Sequence, residues 1–283
     1  MDSSLRPEDL LSREAELPSA PLIFHRLNEL IANPAASGED FAALVEQDPA
    51  LTARLLRVVN SPFFGLRQKI SSAVRAVNLL GLKELRDLVV ATTVIDRFRG
   101  FNNTFVSMQG FWQHSLRCAV IAKALLPDSE SGDAADSLFV CGLLHEIGHL
   151  LLYRQLPELM RQAVLELETS DQPLWQIERR LIGFDYAAVG AALLTQWDMP
   201  EGLIIPVGQH PQPDLAQSHQ RACALVNLAA RLATLDDLED DKPLQLIPSS
   251  DPLWRAAGIQ SGNLREVLLK ARQRLESTAA LLN

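Results

Sequence analysis

The sequence predicts an all-α fold, and three observations support that prediction. Apolar residues recur at three- and four-residue steps through most of the chain, which is the spacing that places them on one face of a helix. Residues that start and stop helices bracket these apolar segments. No segment rich in Val, Ile and Thr alternates with polar residues as a strand would. We therefore expect helices packed on helices.

The first part of the chain is predicted to hold four helices. They cover residues 22–31, 48–60, 71–81 and 82–98. Asp48 caps the second helix because its carboxylate accepts backbone N–H bonds, and Pro49 is tolerated at the first helical position. Asn60-Ser61-Pro62 ends that helix. Ser71 is predicted to cap the third helix, and Gly81 to end it in a left-handed turn.

A polar, helix-breaking stretch at residues 100–104 predicts the first subdomain boundary. Further helices are expected at residues 110–126, 134–155, 215–235 and 262–282, with prolines separating shorter helices between them. The acidic segments 127–133 and 236–241 are predicted to be solvated loops. The chain thus divides into an N-terminal helical subdomain (1–103), a helical bundle (104–235), and an acidic loop with a C-terminal helical extension (236–283).

Composition excludes several classes of function. The net charge of −9 and the absence of a basic run argue against nucleic-acid binding. The three cysteines are widely spaced among apolar neighbours, which indicates buried free thiols in a reducing compartment. The N-terminus lacks the apolar core of a signal peptide, and the longest apolar run is too short and too polar to span a bilayer. We expect a cytoplasmic protein without membrane insertion.

The most informative segment is residues 142–152, in which His145, Glu146 and His149 interrupt an apolar run. A buried His-Glu pair costs free energy unless it is hydrogen-bonded or binds a metal. His145-Glu146-x-x-His149 matches the pattern of zinc peptidases, with Glu146 as the general base. Gly148 weakens the helix that such a site needs, and a three-position pattern often occurs by chance. A zinc peptidase is therefore a distant alternative.

The same segment, Leu143-Leu144-His145-Glu146-Ile147-Gly148, together with four others, resembles the HDOD family, the HD-related output domains of bacterial signalling. The other segments are Leu44 to Gly65 (with Leu17-Pro18-x-x-Pro21 before it), Ala76 to Gly81, Phe111-Trp112-x-His114-Ser115 and Asp185 to Trp197. The resemblance implies an HD-domain-like helical bundle preceded by an N-terminal helical subdomain.

In catalytic HD relatives, a metal is held by a His, a His-Asp pair and a distant closing Asp. The resemblance nominates His114, His145, Glu146, Tyr186 and His210 as pocket or degenerate metal-site residues. Glu146 replaces the Asp of the pair, Tyr186 replaces a His, and the closing Asp corresponds to Ala230, which cannot bind metal. We expect no resident cofactor; a divalent metal, if bound, would use His114, His145 and Glu146. We also expect Glu146 to hydrogen-bond a buried imidazole.

The implied function is a non-catalytic output module that binds signalling proteins or a small ligand such as a nucleotide. The candidate partner-contact residues are Arg54, Asn60, Ser61, Phe63 and Phe64. A metal-dependent phosphohydrolase acting on a nucleotide is the first alternative.

Overall fold

The computed structural model describes residues 5–13, 22–60, 66, 68–82, 85–86, 88–89, 93–94, 98, 105–126, 133–235 and 242–278. All regular elements in these residues are helical, which confirms the predicted all-α class. The predicted boundary at 100–104, the acidic segment 236–241, and Ser61, Phe63 and Phe64 lie outside the described residues.

The N-terminal part contains α1 (Pro7–Arg13), α2 (Leu22–Ala32), α3 (Gly38–Glu46), α4 (Pro49–Val59) and α5 (Ala73–Leu80). The bundle contains α6 (Met108–Ala124), α7 (Asp133–Leu144), α8 (Ile147–Gln155), α9 (Pro157–Leu167), α10 (Leu174–Ile182), α11 (Tyr186–Gln196), α12 (Glu201–Gln209) and α13 (Gln220–Ala233). The C-terminal extension contains α14 (Lys242–Leu246), α15 (Pro252–Ala257) and α16 (Leu264–Thr278). Short 3-10 turns occupy Pro213–Leu215 and Ser261–Asn263.

The predicted caps of the N-terminal helices are largely confirmed. One carboxylate oxygen of Asp48 accepts the backbone N–H groups of Ala50 and Leu51, at 2.9 and 3.0 Å. The cap of α5 is Ser72 and not Ser71, because the Ser72 hydroxyl is the one that accepts an N–H bond from the first turn. Gly81 follows α5 with a φ of +85°. That positive φ is easily adopted only by a residue without a Cβ.

The single helix predicted over residues 134–155 is wrong, because a turn at His145 and Glu146 separates α7 from α8. The His145 side chain donates to the carbonyl of Gly142 at 2.7 Å and so satisfies one carbonyl at the end of α7. Helix α8 then passes close to α11. A Cβ on Gly148 would lie 2.0 Å from the carbonyl oxygen of Tyr186. The apolar pattern continues through the turn, so periodicity alone does not reveal it.

Other boundaries shift for local reasons. Helix α13 begins at Gln220 and not at residue 215, because a 3-10 turn and the positive φ of His219 precede it. Helix α16 begins at Leu264, after a second 3-10 turn. The segment predicted as a helix over 82–98 is described only in part, and its described residues before Phe98 are helical.

Helix α6 lies at the centre of the bundle and packs against α7, α13 and α16. Gly142 permits the closest of these contacts, because a Cβ there would lie 2.6 Å from the Cα of Ala119. All three cysteines are buried and none of them forms a disulfide, as predicted. The N-terminal α1 packs on α11, and Gln155 donates to the carbonyl of Leu10 at 2.7 Å. None of the described helices combines the length and apolar character needed to cross a bilayer.

Candidate functional site

Three of the predicted site residues come together beside the turn between α7 and α8. These are His114 on α6, and His145 and Glu146 in the turn itself. One potential ligand atom from each lies within 4.8 Å of the others. The carboxylate of Glu146 is central, 3.8 Å from Nε2 of His114 and 3.9 Å from Nε2 of His145. The structure thus assembles the donor set that the sequence nominated.

His145 is buried and its hydrogen-bonding pattern defines its tautomer. Its Nδ1 must carry a proton because it donates to the Gly142 carbonyl. Burial is the main reason that its pKa is lowered to about 4, although the nearby Glu146 carboxylate partly opposes this. The imidazole is therefore neutral, and its Nε2 lone pair has no hydrogen-bond partner in the protein. A ligand or a cation can use that lone pair.

The expected hydrogen bond from Glu146 to a buried imidazole is not formed. The three nearest histidine nitrogens, on His114, His145 and His149, lie 3.8–3.9 Å away, beyond hydrogen-bonding distance. The Glu146 side chain is 25% exposed, so it is not enclosed as the prediction required. Burial alone would raise its pKa, but the surrounding histidines lower it. Glu146 therefore presents an ionised carboxylate.

The buried imidazole–carboxylate pair is formed instead by His149 and Glu178, a residue that the sequence reasoning missed. Nε2 of His149 lies 3.0 Å from one oxygen of the fully buried Glu178. The other oxygen of Glu178 accepts the backbone N–H of Tyr186 at 2.9 Å. Burial alone would lower the pKa of His149, but the charge and hydrogen bond of Glu178 raise it. The spacing in the sequence could have indicated that Glu178 is buried, because Glu178 lies four residues after Leu174, on the apolar face of α10.

Tyr186 and His210, both nominated from the sequence, are hydrogen-bonded to each other. Nδ1 of His210 donates to the carbonyl of Val207, so its Nε2 accepts the Tyr186 hydroxyl proton at 2.8 Å. Burial, with the neighbouring His145, lowers the pKa of His210 to about 3. Tyr186 also stacks on His149, with ring centroids 4.0 Å apart. The Nε2 lone pair of His210 is therefore already in use.

His114, Glu146, His149, Tyr186, His210 and Asn227 line part of a cleft of about 880 Å³, and we call these residues the floor. His145 is fully buried beside Glu146 and is not among the residues that line the cleft. The walls include Pro173, Leu174, Trp175, Pro211, Pro213, Ala230, Arg231, Leu253 and Ala256. Ala230, the residue that the resemblance aligned with a closing Asp, thus lies on a wall of this cleft. The described lining comes from the bundle and the C-terminal extension, and not from α1–α5.

The comparisons with known proteins agree with this architecture. Residues 17–213 match the HDOD domain family. The chain belongs to the HDOD family. A curated relative, an uncharacterized protein of Treponema pallidum (strain Nichols), is 28% identical over 248 residues. That match covers 85% of this chain but 46% of the relative, so the chain spans less than half of the relative's length.

Solved structures share the HDOD fold. A candidate phosphohydrolase from Shewanella amazonensis SB2B has a TM-score of 0.77 at 24% identity, over 97% of this chain and 98% of that one. An HDOD domain protein with unknown function from Geobacter sulfurreducens has a TM-score of 0.74 at 24% identity, over 98% and 95% of the two chains. At these identities the likeness establishes the fold alone.

Within this HDOD cleft, the residues present fit one divalent cation through three protein donors. Two imidazoles and a carboxylate form a donor set that zinc and similar ions accept. Ala230 adds no donor, and the Nε2 lone pair of His210 is occupied by Tyr186. A metal here would therefore have His114, His145 and Glu146 as its protein ligands, with its other positions open.

The zinc-peptidase alternative does not agree with the geometry. That alternative needs both histidines on one helix, so that they face one ion from successive turns. His145 lies in the turn before α8, and His149 lies within α8. Nε2 of His149 is bonded to Glu178. The HDOD assignment and this geometry together remove the reason to prefer a peptidase.

Among the partner-contact candidates, only Asn60 has a described side chain, and it closes a loop. Its Nδ2 donates to the carbonyls of Leu56 and Ile70, at 2.8 and 2.7 Å, and its Oδ1 accepts the N–H of Ile70 at 2.6 Å. Asn60 thus ends α4, as predicted, and also fixes the chain ten residues later. Arg54 lies on α4, and its side chain is outside the described part.

Proposed function

We propose that this HDOD protein is a bacterial signalling output domain whose cleft binds a small ligand without hydrolysing it. The observation that carries the proposal is Ala230 on the wall of the cleft that contains His114 and Glu146. The family resemblance implies a carboxylate at this position in catalytic relatives. Without it, the site lacks one metal ligand and one negative charge.

The acid–base groups around the cleft support the same proposal. A hydrolase needs a group that can exchange a proton with substrate or water. His149 is bonded to Glu178, and Tyr186 is bonded to His210. Of the titratable residues at or beside the described floor, His114, His145 and Glu146 remain, and these are also the residues that would hold a metal. The same side chains would have to hold the metal and move the proton.

A metal-dependent phosphohydrolase is the second candidate, favoured by the closeness of the three donors. A bound divalent metal would polarise a water molecule or a phosphoryl oxygen. His114, His145 and Glu146 would hold it.

The two candidates are separated by restoring the missing carboxylate. We would compare wild type with Glu146→Asp/Ala230→Asp, and use Glu146→Asp/Ala230→Asn as a control of similar size without the added charge. Metal content would be measured by elemental analysis after dialysis against Mn²⁺, and turnover with bis(p-nitrophenyl) phosphate. We expect no turnover and substoichiometric metal in wild type, with more metal in the Asp/Asp variant than in the control. Wild-type turnover that is lost in His114→Ala would establish the hydrolase instead.

We further propose that the protein acts in the cytoplasm and that it contacts its signalling partner through the N-terminal segment from Asp48 to Gly65. Helix α4 is capped by Asp48 and closed by Asn60, so it is a firm support for a contact surface. The buried free thiols suit a reducing compartment. An Arg54→Glu variant should recover less of a signalling partner in a pull-down from the native bacterium. Equal recovery of every partner by both proteins would contradict this assignment.

A further inference from the structure

The floor of the cleft offers hydrogen-bond acceptors that the protein does not satisfy. Asn227 donates its amide N–H to the His210 carbonyl at 2.7 Å, and its buried Oδ1 has no hydrogen-bond partner. Beside the floor, Nε2 of the buried His145 also has a lone pair without a partner. The Glu146 carboxylate has only long contacts, at 3.8–3.9 Å, with histidine nitrogens. Unsatisfied buried acceptors cost free energy until a donor reaches them.

The polar hydrogens nearby are mostly used within the protein. The Tyr186 hydroxyl donates to His210, and Nδ1 of His210 donates to Val207. Arg231 on the wall is engaged by Asp251 at 3.2 Å and by the carbonyl of Leu246 at 2.8 Å. A phosphate group offers only acceptor oxygens and negative charge, so Glu146 would repel it at this floor. The floor instead suits a positively charged group with several N–H donors.

The rest of the cleft lining is largely apolar. It includes Leu174 and Trp175 from α10, and Leu253 and Ala256 from α15. Helix α15 is fixed in place by the Arg231–Asp251 pair and by its buried Trp254. Such walls favour a flat or aliphatic body, because burying apolar surface stabilises the complex.

We propose that the cleft binds a small organic cation, with an ammonium or amidinium head on the floor acceptors and an apolar body between α10 and α15. This inference rests on the proposed function, because it assumes that the cleft binds a ligand without hydrolysis. Glu146 supplies the charge for the head, and Asn227 accepts one of its N–H groups. The C-terminal extension therefore forms part of the binding site.

The test uses three probes that share an indole ring and differ in the charge of their side chain. Tryptamine carries an ammonium group, 3-ethylindole is neutral and indole-3-propionate is an anion. Binding is measured by isothermal titration calorimetry to the full chain in EDTA. We expect tryptamine to bind at least about tenfold more tightly than either other probe, as a charge-assisted hydrogen bond implies. Tryptamine binding no tighter than that of indole-3-propionate overturns the proposal.

Two variants test where the charged head and the apolar body of the ligand bind. Glu146→Gln keeps the shape of the side chain and should reduce tryptamine affinity about tenfold, while 3-ethylindole affinity is unchanged. Ala256→Trp should fill the space between the walls and weaken both probes. Arg255→Trp adds the same bulk on the exposed side of α15 and should weaken neither. Unchanged tryptamine affinity in both Glu146→Gln and Ala256→Trp contradicts the proposed site.

A parallel titration with MnCl₂ or ZnCl₂ distinguishes a metal from an organic cation. If a metal binds at the micromolar level and tryptamine does not bind, the inference fails, while wild-type inactivity toward the phosphodiester probe leaves the proposed function intact. If wild type hydrolyses that probe, the proposed function fails whatever the result with tryptamine.

Discussion

At the scale of single residues, Glu178 connects three helices of the candidate site. One oxygen binds His149 on α8, and the other accepts the first backbone N–H of α11 from Tyr186. Glu178 is itself on α10 and is fully buried. A buried carboxylate with both oxygens bonded holds its neighbours strongly, because any loss leaves polar atoms without partners.

We predict that Glu178→Ala lowers the free energy of unfolding by about 3 kcal/mol, because it leaves the His149 imidazole and the Tyr186 amide unsatisfied. Glu146→Ala removes no hydrogen bond and should cost less than about 1 kcal/mol. Urea unfolding followed by circular dichroism measures both variants under the same conditions. If the free energy of unfolding fell equally in the two variants, Glu146 would also be a structural residue, which would contradict this prediction.

The contrast between Glu146 and Glu178 shows which residue-level features can be predicted from the sequence. Motif resemblance nominated His114, His145 and Glu146, and the structure places one potential ligand atom of each within 4.8 Å of the others. Their role as a site stays a prediction. The resemblance did not predict that Glu146 lacks a hydrogen bond, since a difference of less than 1 Å decides that point. Glu178 was missed because its neighbours Arg179 and Arg180 make the segment look like a solvated helix surface.

At the scale of elements, the contact between α8 and α11 positions one end of the cleft. Gly148 on α8 faces the backbone of Tyr186 and Gly190 on α11. A Cβ at Gly148 would lie 2.0 Å from the Tyr186 carbonyl oxygen, and that atom is backbone and cannot rotate aside. The two helices must therefore separate to admit any side chain, and Tyr186 and His149 would move with them.

Gly148→Ala should destabilise the protein by about 3 kcal/mol, in the upper part of the range for overpacked cores. Gly262→Ala is the matched control, because a Cβ there meets no atom within 4 Å, and its stability should stay within about 0.5 kcal/mol of wild type. Thermal and urea unfolding of both variants test this. A Gly148→Ala protein as stable as the control would mean that α8 and α11 are not closely packed in solution.

Helix positions were easier to predict than helix ends. The caps at Asp48 and Gly81 were predicted because side-chain chemistry marks them locally. The turn at His145 and Glu146 was not predicted, because the packing that accompanies it comes from α11, about forty residues later in the chain. Periodicity reports which residues are buried and contains no information about where a buried helix must bend.

At the scale of the whole molecule, the C-terminal extension is part of the same core as the bundle. Residues 17–213 match the family, yet α16 packs on α6 and buries Leu264, Leu268 and Ala271. Trp254 on α15 is also buried, and α15 packs on α13. We therefore expect the stability of the bundle to depend on residues beyond the matched region.

Two adjacent leucines on α16 provide a test of that dependence. Leu268 is 2% exposed and Leu269 is 51% exposed. Leu268→Asp should lower the free energy of unfolding by at least about 3 kcal/mol, because it buries an unpaired charge and removes apolar packing. Leu269→Asp should change it by less than about 0.5 kcal/mol. If Leu268→Asp unfolds only α16, the loss seen at 222 nm will be small and the tryptophan fluorescence of the bundle will persist, which would contradict a shared core.

The wall formed by Leu253 and Ala256 has a consequence for how this protein can diverge. The histidines of the site and Glu146 lie inside the matched domain. Helix α15 lies outside it, and Leu253 and Ala256 are half-buried. If the cleft binds a ligand as we propose, substitutions at positions 253 and 256 would change its shape without altering the residues of the matched domain. Ligand preference could then diverge between relatives that keep the same histidines and Glu146.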